Sequence, residues 1–204
     1  MSTDEAYLSE AHHAVSDAAL DTLFREAHTM RKWLDKKVSP ALLMAIYDLM
    51  RWGPTATNIT PARIVFVMSP EAKERLKPHL EAGNVRQSME APVTAILGYD
   101  LDFPRHLSRL YNPKAPSWFT DSEANKIHAL RNGSLQGGYF IVAARALGLD
   151  CGPMGGFNHD GIDAEFFAGT RIKSNFLCNL GYGAEGGYRP RNERLSFDEA
   201  CQIL

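Results

Sequence analysis

The chain has 204 residues, 45% of them hydrophobic and 23% charged, with a formal net charge of −2. That balance belongs to a globular protein able to hide roughly 70% of its unfolded surface, and it excludes disorder as the main state. The charge lacks the basic surplus of a nucleic-acid binder, and no apolar run approaches the ~18 residues of a membrane span. The opening MSTDEAYLSEAHH is acidic and polar, without the basic and apolar regions of a secretory signal. Cys151, Cys178 and Cys201 are an odd number without paired spacing. This argues against a disulfide framework or a cysteine-based zinc site, and for a reducing cytoplasm. No metal is expected.

Residues 1–16 are expected to be loose, and 17–204 read as one domain without repeats or linker-like shifts. Ser16 to Ala27 has helical spacing, with Leu20, Leu23, Phe24 and Ala27 on one stripe. Ser39 and Pro40 make a helix start, and Gly53-Pro54 a stop, around Leu42, Leu43, Ile46, Leu49 and Met50. Ala62–Met68 reads as a strand, Ser69-Pro70-Glu71 as a second helix start, and 82–91 as weakly helical. Pro92–Tyr99 is apolar enough for a central strand. Residues 100–121 are rich in Pro and aromatics and resist a regular reading. They are either a functional lid or a surface excursion packed by its own side chains. The spacing predicts the longest helix over 121–147, small-rich at Gly133, Ser134, Gly137 and Gly138, with Gly148 ending it. A short helix over 160–167, a strand over 172–180 and a last helix over 196–201 follow. Helices dominate and the strands are dispersed, so the class is α+β rather than repeated βαβ.

Several motifs fail. Gly181-Tyr-Gly183-Ala-Glu-Gly186 matches G-x-G-x-x-G literally, but Gly187 and Pro190 spoil the helix that a dinucleotide fingerprint requires. No nucleophile elbow or phosphate loop is present. His12-His13 and His159-Asp160 are adjacent, and adjacent residues share no helix face, so they are weak metal ligands. Cys178 reads as a core cysteine and Cys151 as a packed thiol.

Three segments survive: Trp52-Gly-Pro-Thr-Ala-Thr-Asn-Ile-Thr-Pro61, Cys151-Gly-Pro-Met-Gly-Gly-Phe157 and the basic Arg189-Pro-Arg-Asn-Glu-Arg194. The first two read as turns that expose backbone groups. With His28-Thr-Met-Arg31 they supply the cations and hydroxyls that a phosphate needs. Together, in this order, and with Pro61-Ala-Arg-Ile-Val-Phe66, Lys73-Glu-Arg-Leu76, Gly83-Asn84, Phe166-Phe-Ala-Gly169 and Lys173-Ser-Asn175, they resemble the nitroreductase-like flavoproteins over residues 17–203. Within that family the chain is most similar to the malonic semialdehyde reductases of pyrimidine catabolism.

The resemblance implies an α+β fold with a central mixed sheet flanked by helices. It implies bound FMN, a homodimer with shared active sites, and ping-pong hydride transfer from NADH or NADPH. By it, His28, Thr29 and Arg31 hold the FMN phosphate and ribityl chain, with Arg191 and Arg194 at the same phosphate. Pro54, Thr55, Ala56 and Asn58 reach the flavin of the other subunit. Asn84 and Gln87 bond the pyrimidine end of the ring, and Pro153, Met154, Gly155 and Gly156 lie beneath it. Trp118 and Phe119 cover the substrate pocket, where Arg63 or Arg105 would take a substrate carboxylate. No side chain is expected to act as acid, base or nucleophile, because the flavin carries the hydride. The chain departs from the family with His28 or Ala27 for Arg, Gly155 for Glu and Gln87 for Lys, changes that bear on cofactor grip and substrate choice. Three rival readings are a broad nitroaromatic or quinone reductase, a protein that sequesters FMN without turnover, and a helical interaction domain whose Gly-Pro turns are structural and which binds no flavin. The partners expected are a small-molecule substrate and a second copy of the chain, with neither nucleic acid nor membrane.

Overall fold

Capping side chains place the helices. In the computed structural model, which describes residues 14–204, the Ser39 hydroxyl accepts from the Leu42 amide and opens α1 (Pro40–Met50). Ser69 does the same for α2 (Pro70–Leu76), while α3 (Ala82–Glu90) starts without a side-chain cap. Asp121 accepts from the Glu123 and Ala124 amides to start α4 (Ser122–Ala146), and Gly148 leaves it at φ +80. Asn158 caps α5 (His159–Phe166). The expected helix over 16–27 is shorter: Asp17–Leu20 is α-helical and widens into a π turn at Asp21–Arg25. The expected loose segment and His12-His13 lie outside the described residues, except for 14–16.

The strands are β1 (Ala62–Val67), β2 (Val93–Asp100), β3 (Asp150–Met154) and β4 (Ile172–Gly181), in the order β1-β2-β4-β3. All three ladders are antiparallel, where a mixed sheet was expected. The parallel element is a single bridge, Thr29 to Cys151, because the segment before α1 touches the edge of β3 without laddering along it. β3 itself was read as a turn. Gly152 and Pro153 carry the turn signal, yet an edge strand accepts proline because one of its sides needs no donors. The chain after β4 has no helix until Phe197–Ala200, so the stretch 182–186 is a glycine-rich turn, as expected, and the last helix is shorter than the expected 196–201.

β2 is buried along its whole length, and its side chains alternate between two cores. Val93, Ala95 and Leu97 meet α1 and α4, joined by Leu43, Ile46, Met50, Phe140 and the two buried thiols of Cys151 and Cys178. Ile96 meets α2 and α5 through Leu76, Ile162 and Phe167. The excursion over 100–121 forms short helical turns and packs Phe103, Leu107 and Ala115 into a third cluster with Tyr99 and Ala129. This favours the reading of an excursion packed by its own side chains.

α4 lies close on the sheet. A Cβ at Gly133 would sit 3.0 Å from Tyr99, and one at Gly137 would sit 2.5 Å from the Phe176 ring. Gly137→Ala is therefore expected to lower stability by about 1–3 kcal/mol, as overpacking does. A urea-denaturation midpoint equal to or above that of the wild type would contradict this.

Candidate functional site

The last residues of β3 and the chain after it form the floor of the site. Pro153, Met154 and Gly155 border a shallow, largely apolar depression of about 460 Å³ with Ser134, Gly138 and Ile141 of α4 and Phe176 of β4. A Cβ added at Gly138 or Gly155 would meet no atom within 4 Å, whereas Gly133 and Gly137 are filled by sheet side chains. The glycines on the inner face of α4 thus serve packing. Gly138 and Gly155 instead leave open space over the depression, which a flat ring can occupy.

A polar chain runs beside this floor. The Asn84 side-chain amide donates to the Gly156 carbonyl at 2.8 Å, and the Gln87 amide donates to Asn84 Oδ1 at 2.6 Å. Trp33 Nε1 donates to the Gln87 carbonyl at 3.0 Å, which ties α3 to the segment before α1. Ser88 Oγ lies 3.5 Å from Met154 Sδ.

A basic group lies at the other end of β3. The Met30 amide donates to the Cys151 carbonyl at 2.9 Å and the Arg31 amide to the Gly187 carbonyl at 2.7 Å. Thr29 bridges Cys151, and the His28 ring stacks on Tyr188 at 4.2 Å. Arg191 donates to the Arg25 and Ala27 carbonyls at 2.7 and 2.9 Å. His28, Thr29, Arg31 and Arg191 are thus brought together. Arg194 bonds the carbonyls of its neighbours Asn192 and Glu193.

The loop Pro54–Asn58 stands apart from this floor and is held by other contacts. The Ala56 amide donates to Asn132 Oδ1 at 2.8 Å, the Thr60 amide to Thr55 Oγ1 at 3.2 Å, and Asn58 Nδ2 to the Leu110 carbonyl at 2.8 Å. Thr57, Asn58 and Thr60 sit at φ 53, 52 and 36, a left-handed conformation that costs a non-glycine residue on the order of 1 kcal/mol or more. Pro54 and Asn58 rim a larger cleft, about 1160 Å³, between α1, the free edge of β1 and residues 106–110.

Arg63 and Arg105 share one carboxylate. Arg63 lies 2.8 Å and Arg105 3.2 Å from Asp100 Oδ2, and the Asp100 side chain is 1% exposed. Neighbouring His106 is held below its ordinary pKa by desolvation and then by these two guanidinium groups. Phe119 packs edge-on against Phe103 and His128, while Trp118 remains at the surface, edge-on to Tyr111.

A buried polar cluster next to the floor escaped the sequence reading. Lys73 on α2 is 4% exposed, with Ser88, Thr94 and Asn179 around it at 0%. The signal was present: Lys73 lies three residues before Leu76, on the helix face that is buried.

The chain is an antiparallel α+β domain with an apolar floor, a side-chain amide row along one edge of it and a cationic group at the other end of β3. The chain belongs to the Nitroreductase family, which it matches over residues 24–182. It is 58% identical over 193 residues to a Stenotrophomonas maltophilia (strain K279a) protein, covering 94% of this chain and 98% of that one. It is 56% identical over 189 residues to a protein of Caulobacter sp. (strain K31), covering 92% and 97%. Both are provisionally named NADH dehydrogenase/NAD(P)H nitroreductase. A crystal structure from Exiguobacterium sibiricum, provisionally named a nitroreductase and solved with FMN, superposes with a TM-score of 0.80 at 19% identity, covering 95% of this chain and 100% of that one.

Asp100→Asn leaves two guanidinium groups around a neutral amide. Arg63 is part-buried and Arg105 exposed, so both can be hydrated, and the variant is expected to lose about 1–2 kcal/mol, the worth of charged hydrogen bonds to a buried carboxylate. Equal urea midpoints for variant and wild type would show that Asp100 is not the anchor of this pair.

Proposed function

We propose that the protein is an FMN-dependent NAD(P)H oxidoreductase. The observation that carries this reading is the open space over Gly138 and Gly155, bounded by the Asn84–Gln87 amides and lying on the strand that also meets the basic group. These residues fit the cofactor part by part. Met154, Gly155 and Gly156 would support the ring, and Asn84 and Gln87 would bond its polar end. Arg31, Arg191, His28 and Thr29, with Arg194 on the same C-terminal segment, would hold the phosphate. FMN supplies two-electron chemistry, taking hydride from a nicotinamide and giving it to a second substrate. The protein's part is to bind and orient the ring and to leave one face open to both partners in turn.

A second copy completes the reading. Met44, Tyr47 and Leu49 on α1, Trp52 just after it, and Ile127, Leu130, Leu135 and Tyr139 on α4 are large apolar residues exposed in the single chain. A patch of this kind marks an interface. In a dimer closed on these helices, Pro54–Asn58 would reach the partner's site.

For the acceptor, the apolar floor favours a small planar molecule, a nitroaromatic or a quinone. The second reading is malonic semialdehyde, reduced to 3-hydroxypropionate. The support for it is the resemblance carried by the stretches 152–157 and 166–169. Its carboxylate would need a cation, and the charge of Arg63 and Arg105 is already partly met by Asp100.

The test is the visible spectrum of the purified protein before and after anaerobic NADH or NADPH. A yellow protein that bleaches, and recovers on adding a nitrofuran or a quinone, is expected. Recovery with malonic semialdehyde alone moves the acceptor to the second reading. A yellow protein that does not bleach is a flavin carrier, and a protein that takes up no FMN refutes the proposal. Gly138→Leu should fill the open space. It is expected to leave thermal stability equal or higher, by up to about 1 kcal/mol, while abolishing FMN uptake. Arg191→Ala should weaken FMN binding about tenfold or more in a titration followed by flavin fluorescence.

A further inference from the structure

Lys73 is the cation among the nine buried polar or charged residues that has no carboxylate partner among the described residues. Its Nζ donates to the Ser88 carbonyl at 2.6 Å and to Thr94 Oγ1 at 2.7 Å. Thr94 Oγ1 donates on to Asn179 Oδ1 at 2.6 Å, and Asn179 Nδ2 donates to Ser88 Oγ at 3.2 Å. Ser88 Oγ then meets Met154 Sδ. The ring of contacts joins α2, α3, β2 and β4 and ends on β3. Ser88 follows Gln87, whose amide continues through Asn84 to Gly156. Both arms therefore finish at the floor of the proposed flavin site.

The groups that face this ammonium are uncharged: Ser88 from α3, Thr94 from β2 and Asn179 from β4. The charged residues of α2 and α3, namely Glu71, Glu74, Arg75, Arg86 and Glu90, are exposed. Those of the sheet are engaged elsewhere, Arg63 with Asp100, Lys173 with Asp163 and Asp150 with the Gly183 amide. When protonated, this ammonium thus lies inside the protein, joined through Ser88 to Met154 and held by dipoles alone.

We propose that Lys73 is a positioning residue for the flavin: through Thr94, Asn179 and Ser88 its ammonium fixes Gln87 and Met154 against the ring, and its charge favours the reduced over the oxidised cofactor. The inference rests on the flavin reading above. Burial pushes the Lys73 pKa down from 10.5 to about 7, so the charge is present in mildly acidic solution and lost as pH rises through neutrality. The sign for stability follows. Between about 7 and 10.5 the unfolded chain binds the extra proton, so the contribution of Lys73 to stability improves with rising pH across that window.

The test compares wild type, Lys73→Met and Thr94→Val, each loaded with FMN. The midpoint potential of the bound flavin is measured against pH, together with the melting temperature of the flavin-free proteins. In wild type the potential is expected to change slope near pH 7. In Lys73→Met the break disappears and the preference for reduced over oxidised FMN falls about tenfold. Thr94→Val keeps the lysine but cuts the relay, and should weaken FMN binding while retaining the break. Without FMN, wild type should gain melting temperature relative to Lys73→Met between pH 7 and 9. FMN-loaded Lys73→Met with the wild-type potential, affinity and pH profile would overturn the proposal, as would a melting-temperature difference independent of pH. If wild type binds no FMN, the flavin reading fails and this proposal with it. If wild type binds and Lys73→Met matches it, only the role of Lys73 fails.

Discussion

The 25-residue helix α4 approaches the four-stranded sheet most closely where a small residue on one surface faces a large one on the other. Along α4 this condition is met by Gly133 under Tyr99 and Gly137 under the Phe176 ring. The resulting approach brings Phe140, Ala143 and Ala144 into the core with β2 and β4, where burial of apolar area stabilises the fold. It also fixes where the outer face of the helix stands relative to the end of β3. Ser134, Gly138 and Ile141 then share a depression with Pro153–Gly155 because Gly133 and Gly137 keep the helix low.

The site is therefore a consequence of the sheet edge. β3 pairs on one side with β4 and on the other, among the described residues, meets the Thr29 bridge, so residues 151–154 have one side that is not laddered into the sheet. The segment 28–34 uses part of that side to anchor the basic residues. Asn84 uses the Gly156 carbonyl to anchor the amide row. Three sequence regions separated by dozens of residues thus meet on one short strand, and the depression lies beside them. The Pro54–Asn58 loop obeys a different constraint. Three left-handed residues are tolerated there because Asn132, Thr55 and Leu110 hold the loop by hydrogen bonds.

Much of this was legible before any coordinates. Ser39-Pro40, Ser69-Pro70 and Asp121 declare their helices because capping is local chemistry, and β2 declares itself by a continuous apolar run. β3 was not legible. Its Gly-Pro pair carries a turn signal, and only its position at the edge, a property of the whole sheet, makes proline acceptable. The wide turn at Asp21–Arg25 was hidden for a similar reason, since the apolar stripe that suggests a helix continues through it. At the site, the basic residues and the amide pair could be named from the family resemblance. What could not be seen was that Arg63 and Arg105 share Asp100, because a contact spanning 37 residues between Arg63 and Asp100 leaves no local pattern.

The buried lysine belongs to the same class of long-range fact, and its energetics set it apart from the rest of the core. An ammonium surrounded by a carbonyl, a hydroxyl and an amide is incompletely compensated for lost hydration, which is why its proton is held weakly. A methionine would fill the same volume without that cost, as apolar replacements of buried ions do elsewhere. Packing alone therefore gives no reason for a lysine at position 73. A reason appears once its contacts are followed to Met154 and Gln87. Where a local rule is broken inside an otherwise consistent fold, the cost is expected to fall at a functional site, and this lysine's contacts lead to the proposed one.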